Sequence, residues 1–275
     1  MTDPIIQTPL MTMPRIGLGT WPMKGAECQA AVEGAIGLGY RHIDTAEMYG
    51  NEDAVGAAIA ACGVPRGEIF LTTKVWHDKP EGASFTAAFA QCLERLATPH
   101  VDLLLVHWPS PALNLPSVLE ALARAREAGL ARAVGVSNFP AGLLRQALAL
   151  DIAPLACLQV EHHIQLDQSA LLAITEPAGM ALTSYSPLGK GALAELPAVR
   201  EIAARHGATG AQVALAYILA KGRVAAVPKA ASPARQQENL GALALSLTPQ
   251  DIAALDAVPK GRRYVNPDFA PDWAA

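Results

Sequence analysis

Positive charge is in short supply in this chain. Its 275 residues include 21 Lys and Arg against 25 Asp and Glu, a net charge of −4. That balance leaves no basic footprint for a polyanion, so neither nucleic acid nor an anionic membrane is expected as a partner. Charge of either sign is sparse, at 17% of residues, while apolar residues make up 51%. Such a composition argues against disorder and for a folded chain with a large core. Cysteine is rare: Cys28, Cys62, Cys92 and Cys157 fall in no CxxC and in no close Cys/His pair. No structural zinc site is expected, and the thiols are read as buried or neutral. Long apolar runs are missing, and the stretch VDLLLV (101–106) is far too short to cross a bilayer. The opening MTDPIIQTPL has neither the basic region nor the apolar run of a signal peptide. A soluble, cytoplasmic protein is expected. No linker, low-complexity segment or fixed-period repeat interrupts the chain, so residues 1–275 are read as one domain.

What is present is alternation. Eight β-rich runs occur at 16–21, 41–45, 69–74, 101–108, 131–137, 155–161, 181–185 and 223–229. Several are apolar without a two-residue period, as parallel strands covered on both faces are. Ala-rich helical runs such as AECQAAVEGAIGLG and PSVLEALARAREAG lie between them, several ending in Gly, a common terminator. Strand–helix alternation repeated eight times predicts an α/β fold, a single (β/α)8 TIM barrel. The opening IIQTPLMTMPRIG is expected to form a β-hairpin that closes the barrel bottom.

In such barrels chemistry sits at the C-terminal ends of the strands. Those positions carry Gly19, Thr20 and Trp21, then Asp44 and Tyr49, Lys74 and Trp76, and His107 and Trp108. They continue with Ser137 and Asn138, Gln159 and Glu161, Tyr185 and Ser186, and Lys229. Asp44, Tyr49, Lys74 and His107 form the candidate catalytic group. Lys74 ends an apolar strand, and a buried ammonium needs an anionic partner, for which Asp44 on the next strand is placed. A cation beside Tyr49 is expected to lower the phenol's pKa from ~10 and make it a proton donor near neutral pH. His107 is positioned to orient the same substrate oxygen. Each has a plainer explanation taken singly: a turn cap for Asp44, packing for Tyr49, a snorkelling surface residue for Lys74, a satisfied core histidine for His107. Four suitable types on consecutive strand ends favour the joint reading. Asn51, just before Glu52, is expected to cap the following helix.

The stretches GLGTW, GYRHIDTAEMYGNE, LTTKVW, DLLLVHWP, GVSNF, SYSPLGKG and VPKAASPARQQEN cover nearly the whole chain. In them the sequence resembles an aldo-keto reductase. The resemblance implies hydride transfer from NADPH to an aldehyde or ketone. It makes Tyr49 the general acid, Lys74 and Asp44 its tuning pair, and His107 the group that orients the carbonyl. No GxGxxG opens a βαβ unit here, so the cofactor must be held by other means. The resemblance places the nicotinamide on the Tyr185 ring and its carboxamide against Ser137, Asn138 and Gln159, with Gly19, Thr20, Trp21 and Asp44 bordering it. The loop Ser186, Pro187, Leu188, Gly189 would cover the pyrophosphate. Lys229 and Arg235 would meet the 2′-phosphate, and Glu238 and Asn239 the adenine. Ala230 stands where the family often has Ser or Thr, which weakens the preference for NADPH over NADH. Leu158 replaces a common Asn before Gln159.

Trp21, Trp76 and Trp108, with Tyr49 and His107, are expected to wall a pocket for a small carbonyl substrate. The short C-terminal tail suggests an open pocket. Its RRYVNPDFAPDW ending is similar to the 2,5-diketo-D-gluconate and methylglyoxal reductase branch. The adjacent pair His162 and His163 is not read as a metal site. Two other functions compete: a Schiff-base aldolase with Lys74 as nucleophile, and a catalytically silent sensor that retains the cofactor site. No heptad or long apolar edge strand is visible, so a monomer is expected.

Overall fold

The structure, a computed structural model, describes residues 3–274. The chain opens with β1 (Ile5–Gln7) and β2 (Thr12–Pro14), then β3 (Leu18–Gly19), α1 (Gly25–Gly37), β4 (His42–Asp44), α2 (Glu52–Ala61) and β5 (Phe70–Val75). Next come α3 (Gly82–Arg95), β6 (Val101–Val106), α4 (Leu115–Glu127), β7 (Ala131–Ser137), α5 (Ala141–Leu150) and β8 (Leu155–Glu161). The last part holds α6 (Ser169–Thr175), β9 (Ala181–Tyr185), α7 (Pro197–His206), α8 (Gly210–Leu219), β10 (Val224–Ala226), α9 (Pro233–Leu240) and α10 (Pro249–Asp256).

Strands β3 to β10 pair in parallel in sequence order. The two edges meet through parallel bridges Ile16–Ala226 and Gly19–Lys229, so the sheet closes on itself. All eight expected strands are present, and the first and last are shorter than their apolar runs. Gly19 is required at that seam: a Cβ there would lie 2.6 Å from the Val227 carbonyl oxygen.

The helices form by ordinary amphipathic logic. α4 buries Leu115, Val118, Leu119 and Leu122 along one stripe. Its start is fixed by the Asn114 side chain, which accepts a hydrogen bond from the Ser117 amide. α8 and α10 begin with reciprocal Thr209–Gln212 and Thr248–Asp251 capping boxes.

The hairpin β1–β2 is antiparallel, with Ile6 opposite Met13. Ile6 and Met13 pack with Phe70, Leu103 and Leu105 and with Ala133, Ala156, Ala181 and Ala225 from the strands. The reason is volume: four strands present small side chains here, Ala133, Ala156 with Cys157, Ala181 and Ala225, leaving space at the bottom that Ile6 and Met13 fill. Each such buried side chain contributes roughly 1.5–3 kcal/mol. Plugged below, the barrel opens only at the rim where the polar strand-end residues gather.

Beyond α10 the tail runs without regular structure back to the rim. Lys260 donates to the carbonyls of Ile164 (2.6 Å) and Leu255 (2.9 Å). Buried Glu161 accepts from the backbone amides of Tyr264 (2.6 Å) and Val265 (3.2 Å).

Candidate active site

β4 and β5 lie side by side with Asp44 opposite Thr72, and Lys74 follows two residues on, on the same inward face. Lys74 is fully buried. Its Nζ donates to Asp44 Oδ1 at 2.6 Å, to the Thr45 carbonyl at 2.8 Å and to Tyr49 Oη at 3.4 Å. Asp44 Oδ2 in turn accepts from Gln159 Nε2 at 2.8 Å. Every donor of the ammonium and both carboxylate oxygens are therefore engaged. Burial opposes the charge on Lys74, but Asp44 and Tyr49 outweigh it and its pKa stands above the usual value. A Schiff-base nucleophile needs the opposite shift, so the aldolase reading finds no support here.

Tyr49 ends a short 3-10 turn (Glu47–Tyr49), closed by Gly50 with φ +58°. Its ring lies between Trp21 (centroids 5.2 Å apart) and His107 (5.5 Å). The expectation of a lowered phenol pKa needs correction. Burial raises it, and Lys74 pulls it back without cancelling the rise. The sequence shows the neighbouring cation but not the depth of the site. Tyr49 thus holds its proton across the neutral range, with a cation beside it that stabilises the phenolate on release. Burial and the nearby Lys74 hold His107 well below the usual imidazole value, so it is neutral. Its buried Nδ1 has no hydrogen-bond partner among the described residues.

The same cleft is lined by Gly19, Thr20, Trp21, Trp108, Ser137, Asn138, Gln159, Tyr185, Ser186 and Lys229. Asn138 Nδ2 donates to the His107 carbonyl (2.9 Å) and to Ser137 Oγ (3.1 Å), while Tyr185 Oη donates to Asn138 Oδ1 (2.7 Å). Asn138 and Ser186 both have positive φ, +62° and +49°. Such strain in non-glycine residues collects at functional sites. Trp76 stands behind the cleft, 5.0 Å from His107 ring to ring, and its amide donates to Glu47 Oε2 at 2.8 Å. Pro187, Leu188, Gly189, Arg235, Glu238 and Asn239 do not line the cleft. They lie beyond it, on the loop after β9 and on α9. Lys229 and Arg235 are exposed, and neither has an ion-pair partner among the described residues.

Comparison with known proteins decides the family. The Aldo/keto reductase family profile matches residues 15–260. Methylglyoxal reductase DkgB of Escherichia coli O157:H7 is 37% identical over 267 residues, 96% of this chain and 100% of that one. The chain belongs to the aldo/keto reductase family. It is accordingly an oxidoreductase acting on carbonyl groups, of a family that uses nicotinamide cofactors. An aldo-keto reductase of Mycolicibacterium vanbaalenii is 42% identical over 254 residues, covering 92% of this chain and 91% of that one. Among solved structures, a candidate 2,5-diketo-D-gluconic acid reductase B superposes with TM-score 0.92 at 41% identity, covering 96% of this chain and 94% of that one. The aldose reductase of Schistosoma japonicum gives 0.90 at 28% identity, covering 97% and 98%.

Several features of this aldo/keto reductase were not anticipated. Met48 and Val265 also line the cleft. The tail brings Phe269 against Trp76 (5.3 Å), His77 (4.5 Å) and Trp108 (5.5 Å), and Trp273 against Trp108 (6.0 Å). A short tail here still reaches the pocket mouth. The only forewarning was aromatic residues in an otherwise polar terminus. Asn51 occupies the helix-start position, yet its side chain makes no capping bond. It accepts from Thr45 Oγ1 (2.6 Å) and donates to the carbonyls of Thr20 (3.3 Å) and Met23 (2.8 Å), tying two catalytic loops together. His163 Nε2 is paired with Glu161 at 3.0 Å, in support of the tail anchor. Among the described residues no cluster of three His, Cys, Asp or Glu is arranged to hold a metal. Of the cysteines, only Cys62 is not fully buried. Burial pushes the Cys28 and Cys157 thiols up to about 11 and about 12. No helix among the described residues is long and apolar enough to cross a membrane.

Proposed function

We propose that this protein is an NADPH-dependent reductase of small aldehydes and ketones, such as methylglyoxal or a diketo sugar acid, with Tyr49 as general acid. The observation that carries the reading is the Asp44–Lys74–Tyr49 chain, 2.6 Å and 3.4 Å long in its two links, ending beside a neutral His107 in an open cleft.

The residues present fit a nicotinamide dinucleotide. Amide and hydroxyl groups of Ser137, Asn138 and Gln159 gather on the side of the cleft that Tyr185 lines, suited to a carboxamide and a flat ring. Ser186 to Gly189 form a loop whose backbone lies next to that side, suited to the pyrophosphate. Lys229 and Arg235 are two unpaired cations flanking the N-terminus of α9, where backbone amides and the helix dipole favour a phosphate. That pair supports NADPH over NADH. Ala230 adds no hydroxyl, and its carbonyl instead accepts from Gln236 Nε2 at 3.0 Å. Glu238 and Asn239, one and a half turns further along α9, are assigned to adenine. Gly19, Thr20, Trp21 and Asp44, which line the same cleft, would border the nicotinamide.

The bound cofactor supplies a hydride to the carbonyl carbon. His107, neutral at working pH, hydrogen-bonds the carbonyl oxygen and fixes its direction. Tyr49 gives its proton to that oxygen as negative charge develops there, and Lys74 stabilises the phenolate left behind. Asp44 keeps Lys74 charged and in place. Trp21 and Trp108 exclude water around the reacting carbon, and Trp76, behind the cleft, backs the His107 ring. The protein acts as a cytoplasmic monomer and as one domain.

The test is a spectrophotometric panel following NADPH and NADH oxidation with methylglyoxal, diketogluconate, aromatic aldehydes and simple ketones. Turnover with NADPH on small carbonyls is expected. Equal use of NADH would overturn the cofactor assignment. NADPH binding with no turnover on any of these carbonyls would overturn the catalytic one and favour the sensor.

A further inference from the structure

The candidate proton donor sits on a turn with little burial of its own. None of Glu47, Met48 and Tyr49 is buried, and Met48 is 37% exposed. The base of this loop is pinned, because Thr45 Oγ1 donates to Asn51 Oδ1 at 2.6 Å. Within the tip, the amides of Tyr49 and Gly50 donate to the carbonyls of Ala46 and Glu47, at 3.1 Å each. Those bonds shape the turn without fixing it to the sheet. Two of its side chains do reach the sheet. One is Tyr49 itself, whose hydroxyl is 3.4 Å from Lys74 Nζ, near the limit for a hydrogen bond. That contact has to change as the proton leaves. The other is Glu47. Its Oε2 accepts from the Trp76 backbone amide at 2.8 Å. Trp76 directly follows β5, two residues beyond Lys74. A carboxylate accepting a backbone amide makes one of the stronger kinds of hydrogen bond. Lys79 Nζ lies 3.7 Å from Oε1 of the same carboxylate, which is 18% exposed. Glu47 does not line the cleft.

We propose that Glu47 is a positioning residue for proton transfer. Its bond to the Trp76 amide holds the turn so that the Tyr49 hydroxyl keeps one place relative to Lys74 and the substrate carbonyl. This rests on the carbonyl-reductase reading above, with Tyr49 as acid, and deepens it by naming the group that fixes the acid. Trp76 suits the task because it continues the strand that carries Lys74. The proton donor and the cation that stabilises its phenolate are thereby tied to one frame. Displacing a reacting group by about 1 Å can cost about 100-fold in rate, so one such tether has kinetic weight. The Lys79 contact is partly exposed and contributes little by itself. The acceptor oxygen, more than the charge, is what the turn needs.

The test measures kcat and KM with methylglyoxal and NADPH for wild type, E47A, E47Q, E47D, Y49F and E47A/Y49F. In E47A kcat is expected to fall about 10- to 100-fold, with KM and NADPH affinity within about threefold of wild type. E47Q keeps an acceptor oxygen for the Trp76 amide and is expected to recover most of kcat. E47D keeps the charge but falls one methylene short. Its kcat is expected in between, and it carries the test if E47A does not fold. Once Tyr49 has lost its hydroxyl, adding E47A is expected to change the residual kcat by less than about threefold. A general loosening of the fold would not give that non-additivity. An E47A enzyme within about threefold of wild-type kcat would overturn the inference and leave the reductase reading intact. So would an E47Q enzyme as impaired as E47A, which assigns the effect to charge. So would an equal loss from E47A with and without the Tyr49 hydroxyl, which places the effect elsewhere in the fold. A wild type silent on methylglyoxal and on the other carbonyls of the panel would end both.

Discussion

Replacing Lys74 with Met is expected to destabilise the protein by about 3–5 kcal/mol, because it strands a buried carboxylate. The side chains of Lys74 and Asp44 are 0% and 3% exposed and 2.6 Å apart. Without the ammonium, Asp44 keeps only the Gln159 amide, and the Thr45 carbonyl and Tyr49 hydroxyl lose a donor. Asp44→Asn creates the converse fault, a buried ammonium with no counter-charge, and a similar loss is expected. The double variant D44N/K74M removes both charges and leaves neither uncompensated. Its loss is expected to fall short of the sum of the single losses by about 2 kcal/mol or more. Urea unfolding followed by tryptophan fluorescence measures all three, and K74M alone is expected to lower Tm by roughly 10 °C. A K74M protein within 1 kcal/mol of wild type, or single losses that simply add in the double variant, would refute the pairing.

Stability is expected to fall in mild acid. Burial holds His162 at about 4 against an ordinary 6.5, so the unfolded chain takes up a proton in that window and the folded one does not. Unfolding free energy therefore drops as pH falls from 6.5 towards 4 and is flat above 6.5 on this account. His162→Asn is expected to reduce that slope by about one proton, read from urea midpoints between pH 4 and 7; an unchanged slope would assign the effect to His42 and His107, which burial shifts the same way. Glu161→Gln replaces one acceptor oxygen with a donor facing amide or imidazole N–H groups, and is expected to free the tail at a loss of about 1–3 kcal/mol. Limited proteolysis near residues 260–266 and a raised substrate KM would report it, since the tail carries Val265 and Phe269 to the pocket. A tail as protease-resistant as wild type would show that Lys260 alone suffices as anchor.

Much of the fold was legible because periodicity and spacing are local properties. Eight apolar runs with helices between them admit few architectures, and strand-end positions then follow by counting. Lys74 and Asp44 could be paired from sequence because adjacent parallel strands keep their register, and a lysine ending an apolar strand needs a partner. Properties set by depth or by aperiodic chain were not legible. The pKa of Tyr49 depends on how completely loops cover it, which no spacing encodes. Asn51 has the position of a helix cap, but three contacts distant in sequence claim its side chain. Phe269 and Trp273 lie in a tail without periodicity, so only the folded chain shows that they reach the pocket mouth. The two cations near α9 were readable as residues, whereas their freedom from ion pairs was not.

The most direct measurement is turnover of Tyr49→Phe, with NADPH oxidation followed on methylglyoxal and NADPH affinity measured alongside. Removing one hydroxyl that Lys74 Nζ approaches at 3.4 Å is expected to lower kcat about 100- to 10,000-fold while cofactor affinity stays within a few-fold of wild type. A Y49F protein that retains turnover within tenfold of wild type would contradict Tyr49 as the proton donor.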